Sequence, residues 1–227
     1  MKCIWLGQAG LLFDFDGTKV MVDPYLSDSV ASVNPLNKRR VEVDERFFDI
    51  RPDVLILTHD HLDHTDPETL DIILNKWDGI CVLASQKAWQ HVRSYGGSHN
   101  YVMFDRGTGW TQNNIYFQAV HAQHSDFHAI GVLITYLDKT YYVTGDTLYH
   151  NSVIEDTKKN CTSIDMVFLP VNGVGNNMNM VDAKRFCECI KPKVAVPIHG
   201  GLFDEIDLSA FEYEPKLVPQ IYCEIKF

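Results

Sequence analysis

Apolar residues fall along this chain in short runs and not in long helical stripes. Runs at positions 3–6, 11–15, 19–22, 54–57, 80–84, 101–104, 115–121, 131–137 and 140–144 are rich in β-branched and aromatic residues. Each ends at a turn-forming or charged cluster, as strands do. Asp16-Gly17 and Asp138-Lys139 lie between paired runs, where hairpin turns belong. The first three-fifths of the chain is therefore expected to be mostly antiparallel. A helical period appears where Leu70, Ile73, Leu74 and Trp77 follow Thr65-Asp66-Pro67-Glu68. That tetrapeptide can start a helix in two ways, with Thr65 and Glu68 as a capping box or with Asp66 as the cap and Pro67 in the first turn. Further helices are expected over 86–95, stopped by Gly96-Gly97, and over 181–190, stopped near Pro192. Strands should follow over 164–169 and 194–196, with a terminal one near 220–225. Residues 27–48 read as a long loop, a feature that compact domains keep for function or mobility. Strands and helices mixed without strict alternation imply sheets layered beneath helices.

The composition changes this picture little. With 227 residues, 45% hydrophobic and 22% charged, the chain is an ordinary globular protein, and disorder, collagen and coiled coil are excluded. No repeat or linker divides it, so one domain over 1–227 is expected. Charge says more: 20 Lys+Arg stand against 30 Asp+Glu, a net −10, so most of the surface repels nucleic acid and acidic lipid. An anionic substrate then needs a local positive spot. Lys38-Arg39-Arg40 and Arg106 are candidates for it, although a solvated charge run is the simpler account. Six unevenly spread cysteines in a chain this long suit reduced thiols and a cytoplasmic location. Cys187-Glu188-Cys189 lies in a helical pattern that points its thiols apart, so it is expected to serve packing. No apolar stretch approaches the ~20 residues of a membrane span, and Asp14 and Asp16 stand where a secretion signal would place small residues.

The chemistry concentrates in Thr58-His59-Asp60-His61-Leu62-Asp63-His64, directly after an apolar run. His59 and His61, two apart, leave extended backbone on the same side. Asp63 and His64 follow as the chain turns into the capped helix, so the segment can fold around a point. Imidazole and carboxylate at this density suit zinc, manganese or iron in preference to calcium. One loop cannot close a two-metal site. His121, His124 and His128, then Asp146 in Thr144-Gly145-Asp146-Thr147, then His199 in Pro197-Ile198-His199-Gly200, each lie just past an apolar run, where open sheets collect their sites.

His59-x-His61-x-Asp63-His64, with the later histidine, the Gly-Asp-Thr aspartate and the late histidine in the same order, resembles the metallo-β-lactamase superfamily. Gly7-Gln8-Ala9-Gly10 and Val22-Asp23-Pro24-Tyr25 resemble its opening segments. Leu169-Pro170-Val171-Asn172-Gly173, Gly175-Asn176-Asn177-Met178-Asn179-Met180 and Pro197-Ile198-His199 are similar to the branch that contains L-ascorbate-6-phosphate lactonase. The resemblance implies an α/β fold, a four-layer αββα sandwich of two mixed sheets flanked by helices. It also implies two divalent cations, zinc or manganese before iron. His59, His61 and His124 would hold one, Asp63, His64 and His199 the other, and Asp146 would bridge them. His124 is preferred to His121 because Ala122-Gln123-His124-Ser125 resembles the family pattern. Asp23 is expected to orient a ligand histidine, His128 and His150 to lie at a rim or on the surface, and the asparagine-rich segment to form a loop beside the pocket. His91 and His99 receive no role.

The implied reaction is hydrolysis of a lactone or carboxylic ester of a small anionic metabolite by water that the cations activate, with Asp63 accepting its proton. Phosphodiester cleavage at the same centre is the alternative. Iron-dependent redox chemistry or a non-catalytic role is less favoured, because His61 is present and every ligand type is in place. A small anionic metabolite is the expected partner, membrane is not and nucleic acid is disfavoured; self-association is left open, as members of the family commonly self-associate.

Overall fold

The computed structural model describes residues 1–226. Strands β1 (Lys2–Gly7), β2 (Gly10–Phe15) and β3 (Thr18–Val22) open the chain, and a short helix α1 (Ser29–Val33) follows. Next come β4 (Val54–Leu57), α2 (Pro67–Lys76), β5 (Cys81–Ala84), α3 (Gln86–Val92) and β6 (Asn100–Met103). The second half contains β7 (Gly109–Gln112), β8 (Ile115–His121), β9 (Ile130–Tyr136), β10 (Lys139–Val143), α4 (Asn151–Asn160), β11 (Met166–Pro170), α5 (Met180–Ile190) and β12 (Val194–Ile198). Two six-stranded sheets result, ordered β1-β2-β3-β4-β5-β6 and β12-β11-β10-β9-β8-β7.

Both sheets are mixed, as the resemblance implies, and within the first three-fifths of the chain antiparallel pairings outnumber parallel ones. The hairpins β1-β2 and β2-β3 are antiparallel, but β3-β4, β4-β5 and β5-β6 are parallel. The cause is topological: a strand that returns through a crossover such as α2 or α3 re-enters in the same direction. In the second sheet β7 to β10 are antiparallel and β10-β11-β12 parallel. The Asp16-Gly17 turn falls between β2 and β3 as expected. The second hairpin turns one residue earlier than expected, at Leu137-Asp138, with Leu137 left-handed at φ 53°.

The sheets pack face to face through an aromatic layer. Phe13 meets Phe168 edge-on at 5.4 Å between ring centroids, and Phe15 packs on Tyr136 and Tyr141. On the other face of the first sheet, Leu12, Met21, Leu55 and Leu57 pack with Leu70, Ile73 and Leu74 of α2 and with Ala88 and Val92 of α3. Val153 and Ile154 of α4 and Phe186 and Ile190 of α5 join the core of the second sheet.

Asp66 is the cap of α2, accepting from the Glu68 and Thr69 amides, with Pro67 in the first turn. Thr65 does not form a capping box. Its hydroxyl donates to the His59 carbonyl at 2.7 Å, which ties the helix start to the histidine motif. The 27–48 segment is less irregular than expected, because it contains α1 and two 3-10 turns, Pro35–Asn37 and Glu45–Asp49. The terminal strand expected near 220–225 is reduced to single bridges, Ile221 to Trp5 and Glu224 to Ile4. Strand β7 and helices α1 and α4 were not expected.

Candidate metal centre

The ligand-type residues leave the strand ends and converge. His59, His61, Asp63 and His64 follow β4, His124 follows β8, Asp146 follows β10 and His199 follows β12. Two groups have ligand atoms within 4.8 Å of one another: His59, His61 and His124, and Asp63, His64 and His199. Asp146 lies against the second group, with Oδ1 3.1 Å from His199 Nε2 and 3.3 Å from His64 Nε2. A third group, Asp23, His59 and His64, is wholly buried behind the first two. His121 stays outside. It lines a separate pocket with Arg106, Phe127 and His128.

The ring nitrogens have defined backing. His64 Nδ1 donates to Asp23 Oδ2 at 2.7 Å, and His59 Nδ1 lies 3.1 Å from Thr58 Oγ1. His124 Nδ1 faces the Asn176 carbonyl at 3.3 Å, and His61 Nε2 faces Ser125 Oγ at 3.3 Å. In all four rings one nitrogen meets an oxygen while the other points to the centre. Asp23 takes the expected orienting role, since Thr58 also donates to it through its amide and its hydroxyl.

Two polar atoms at this centre are buried without a hydrogen-bond partner, His59 Nε2 and Asp146 Oδ1. An unpartnered imidazole nitrogen and an unpartnered carboxylate oxygen are each costly in a closed interior. Nitrogen and oxygen donors aimed at shared points are what zinc, manganese and iron take, so the residues fit a metal.

Electrostatics divides the histidines. Burial would lower His64, but Asp146, Asp63 and Asp23 lift it well above the ordinary histidine value. His199 is likewise raised against burial by Asp146 and Asp63. His59 is driven well below that value by burial and by the charge of His64, and burial lowers His124. Burial would raise the Asp146 carboxyl, yet His199 and His64 hold it well below the carboxylate range.

A cavity of about 340 Å³ opens on the centre, lined among others by Gln8, His61, Asp63, Asp146, Asn172 and His199. Asn176 and Asn177 also line it, so the asparagine-rich loop lies beside the pocket as expected. None of the basic candidates reaches this cavity. Arg39 is engaged with the Tyr25 and Val41 carbonyls and the Tyr222 hydroxyl, Arg40 with Glu205, and Arg106 with Asp156. Lys38 lines a different surface pocket. His150 caps α4, His91 meets Asp60 and His99 meets the Leu74 carbonyl.

Two residues at the centre had no role in the sequence reading. Gln8, left-handed at φ 49°, donates from Nε2 to Asp63 Oδ2 at 3.0 Å. Asn177 donates to Asp146 Oδ2 at 2.7 Å and accepts from the Thr147 amide. The only signal was their place in amide-bearing segments near strand ends.

A model of the beta-lactamase superfamily domain matches residues 2–199. A UPF0173 metal-dependent hydrolase of Staphylococcus aureus is 28% identical, over 94% of this chain and 92% of that one. Two solved structures share the fold. A metallo hydrolase of Ignicoccus hospitalis superposes with a TM-score of 0.78 at 18% identity, over 100% of this chain and 97% of that one. The metallo-beta-lactamase fold protein YhfI of Bacillus subtilis gives 0.74 at 14% identity, over 99% of each.

Proposed function

This chain belongs to the beta-lactamase superfamily and is a metal-dependent hydrolase; from that premise we propose that it opens a lactone or cleaves another carboxylic ester of a small metabolite in the cytoplasm. The observation that carries the site is the pair of buried atoms without a hydrogen-bond partner, His59 Nε2 and Asp146 Oδ1, the second on a residue that lines the cavity. In this reading His59, His61 and His124 would hold one cation and Asp63, His64 and His199 a second, with Asp146 available to both. Bound zinc or manganese supplies Lewis acidity and brings the pKa of water from ~15.7 toward neutrality.

The chain's own groups do the rest. Asp63 is the one carboxylate of the set with appreciable exposure, its side chain 19% accessible, so it is placed to accept the proton of the attacking water. Gln8 fixes its Oδ2, and the residue lines the cavity. Asn177 holds Asp146 in the same manner. Val30, Val174 and Phe203 provide an apolar wall, and Asn37, Asn176 and Ser125 offer uncharged polar groups. A negative charge on the substrate would therefore be met by the cations, since among the described residues no lysine or arginine lines the cavity, whereas Asp204 does. That favours carboxylic esters over phosphodiesters.

The test is turnover by purified, zinc- or manganese-loaded protein on a panel of lactones, aryl esters, cyclic nucleotides and bis-p-nitrophenyl phosphate. Ester or lactone hydrolysis that a chelator removes supports the reading. Hydrolysis of the phosphodiesters alone would replace it with the phosphodiesterase alternative.

A further inference from the structure

His199 departs from the pattern of the other four histidines. Its Nε2 faces the centre, 3.1 Å from Asp146 Oδ1 and 3.6 Å from Asp63 Oδ2. Its Nδ1 meets two amide nitrogens, Asn172 Nδ2 at 3.0 Å and Gln8 Nε2 at 3.2 Å. A ring that gives its Nε2 lone pair to a cation must carry its proton on Nδ1, and that proton then needs an acceptor. Neither amide nitrogen can accept it.

The two amides are not equally free to answer. Gln8 is committed, because its Nε2 donates to Asp63 Oδ2 at 3.0 Å; turning it would set an amide oxygen against a carboxylate oxygen. Asn172 has no such tie. Its Oδ1 is buried and has no hydrogen-bond partner. Amide nitrogen and oxygen exchange places by a half-turn about the side-chain bond, and which faces a histidine is settled by the network.

We propose that Asn172 is a positioning residue for the centre: with its Oδ1 turned to His199 Nδ1, it fixes the tautomer in which Nε2 is a lone-pair donor to a cation. Turned this way, the interaction completes the series formed by Thr58, Asp23, Asn176 and Ser125 behind the other four rings. The orientation in the structure, with Asn172 Nδ2 toward His199 Nδ1, suits a ring whose Nδ1 carries no proton. The amide thus has one orientation for each state of the ring. This inference rests on His199 being a ligand.

The test compares wild type, Asn172→Leu and Asn172→Asp by competition of zinc against a chromophoric chelator, beside long-range ¹H–¹⁵N NMR of His199 in the zinc-loaded wild type. Leucine removes the acceptor, and one bound equivalent should weaken by about 10–100-fold. Aspartate keeps an acceptor and should restore wild-type affinity, which a merely space-filling role would not predict. In the loaded wild type, His199 should show a protonated Nδ1. Equal zinc affinity in Asn172→Leu, or a loaded ring protonated at Nε2, overturns the inference and leaves the metal centre standing. Failure of the wild type to bind zinc removes both. Should Asn172→Leu not fold, the NMR measurement on the wild type decides alone.

Discussion

The fully buried Asp23 carboxylate accepts His64 Nδ1–H at 2.7 Å while its other oxygen accepts the Thr58 amide at 2.8 Å. One side chain before α1 therefore clamps both the exit of β4 and the fourth residue of the histidine motif. Asp23→Asn keeps the shape but removes the charge that favours Nδ1–H on His64. Zinc affinity should fall by about 10–100-fold, the usual size of such an effect, with secondary structure unchanged. Chelator competition and circular dichroism measure the two parts. Undiminished affinity would show that Asp23 serves only the fold.

Asp146 and His61 separate the chemistry from the scaffold. Asp146 Oδ1 lies against His64 and His199, and His61 is partly exposed at the cavity wall. Asp146→Asn and His61→Ala should each lower hydrolysis to the background rate and reduce the metal content of the purified protein, while thermal unfolding stays cooperative. Full activity in either variant contradicts the ligand assignment.

Much of this site was readable because its signal is local. His59 to His64 stand directly after Val54–Leu57, and His124, Asp146 and His199 each follow an apolar run, so strand ends and ligands could be located together. What escaped depended on pairing between distant segments. Parallel pairing of β3 through β6 follows from three crossovers, the segment containing α1, then α2 and α3, which the strand runs alone do not show. Helix α4 has Val153 and Ile154 as its buried apolar side chains among charged residues, too few to make a stripe. Strand β7 is a half-exposed edge with little apolar alternation. Gln8 and Asn172 are polar residues in turns, and only the folded chain shows that their amides stop at His199.

Asp156 ties α4 to the loop before the site. It accepts from Arg106 at 2.7 Å and from the His121 amide at 2.8 Å. Burial acts to raise its carboxyl, but Arg106 and the His121 amide hold it below the ordinary value. The unfolded carboxyl titrates near ~3.9, above the folded one. The stabilisation is therefore complete above that range and is lost as pH falls through the folded value. Asp156→Asn should lower the melting temperature at neutral pH and narrow its gap from wild type in acid. A gap that stays constant between neutral pH and pH 3 rejects the assignment.

Metal should stabilise the fold as well as serve the reaction. The groups His59, His61 and His124, and Asp63, His64 and His199, each set their ligand atoms within 4.8 Å of one another, and the wholly buried third group, Asp23 with His59 and His64, lies in the interior. A cation that binds only the folded chain adds about 4 kcal/mol at a thousandfold excess over its dissociation constant. Melting temperature should therefore rise with zinc or manganese concentration and fall on chelation. No dependence on metal across that range would argue against a buried centre.

Gly145 places Asp146. Its backbone is left-handed at φ 61°, and a Cβ there would stand 2.5 Å from the Ile130 carbonyl oxygen and 3.2 Å from Thr58 Cβ. Both neighbours are fixed: Ile130 donates its amide to the Thr58 carbonyl at 3.1 Å, which joins β9 to the segment carrying the histidines. Side-chain rotation cannot relieve a clash with a carbonyl, so Gly145→Ala must shift the backbone before Asp146. A strained non-glycine residue costs about 1–3 kcal/mol before any clash is added. The variant should melt lower than wild type and bind fewer equivalents of zinc, because the carboxylate moves away from His64 and His199. Wild-type stability and metal content together would show that the strand end can yield without moving Asp146.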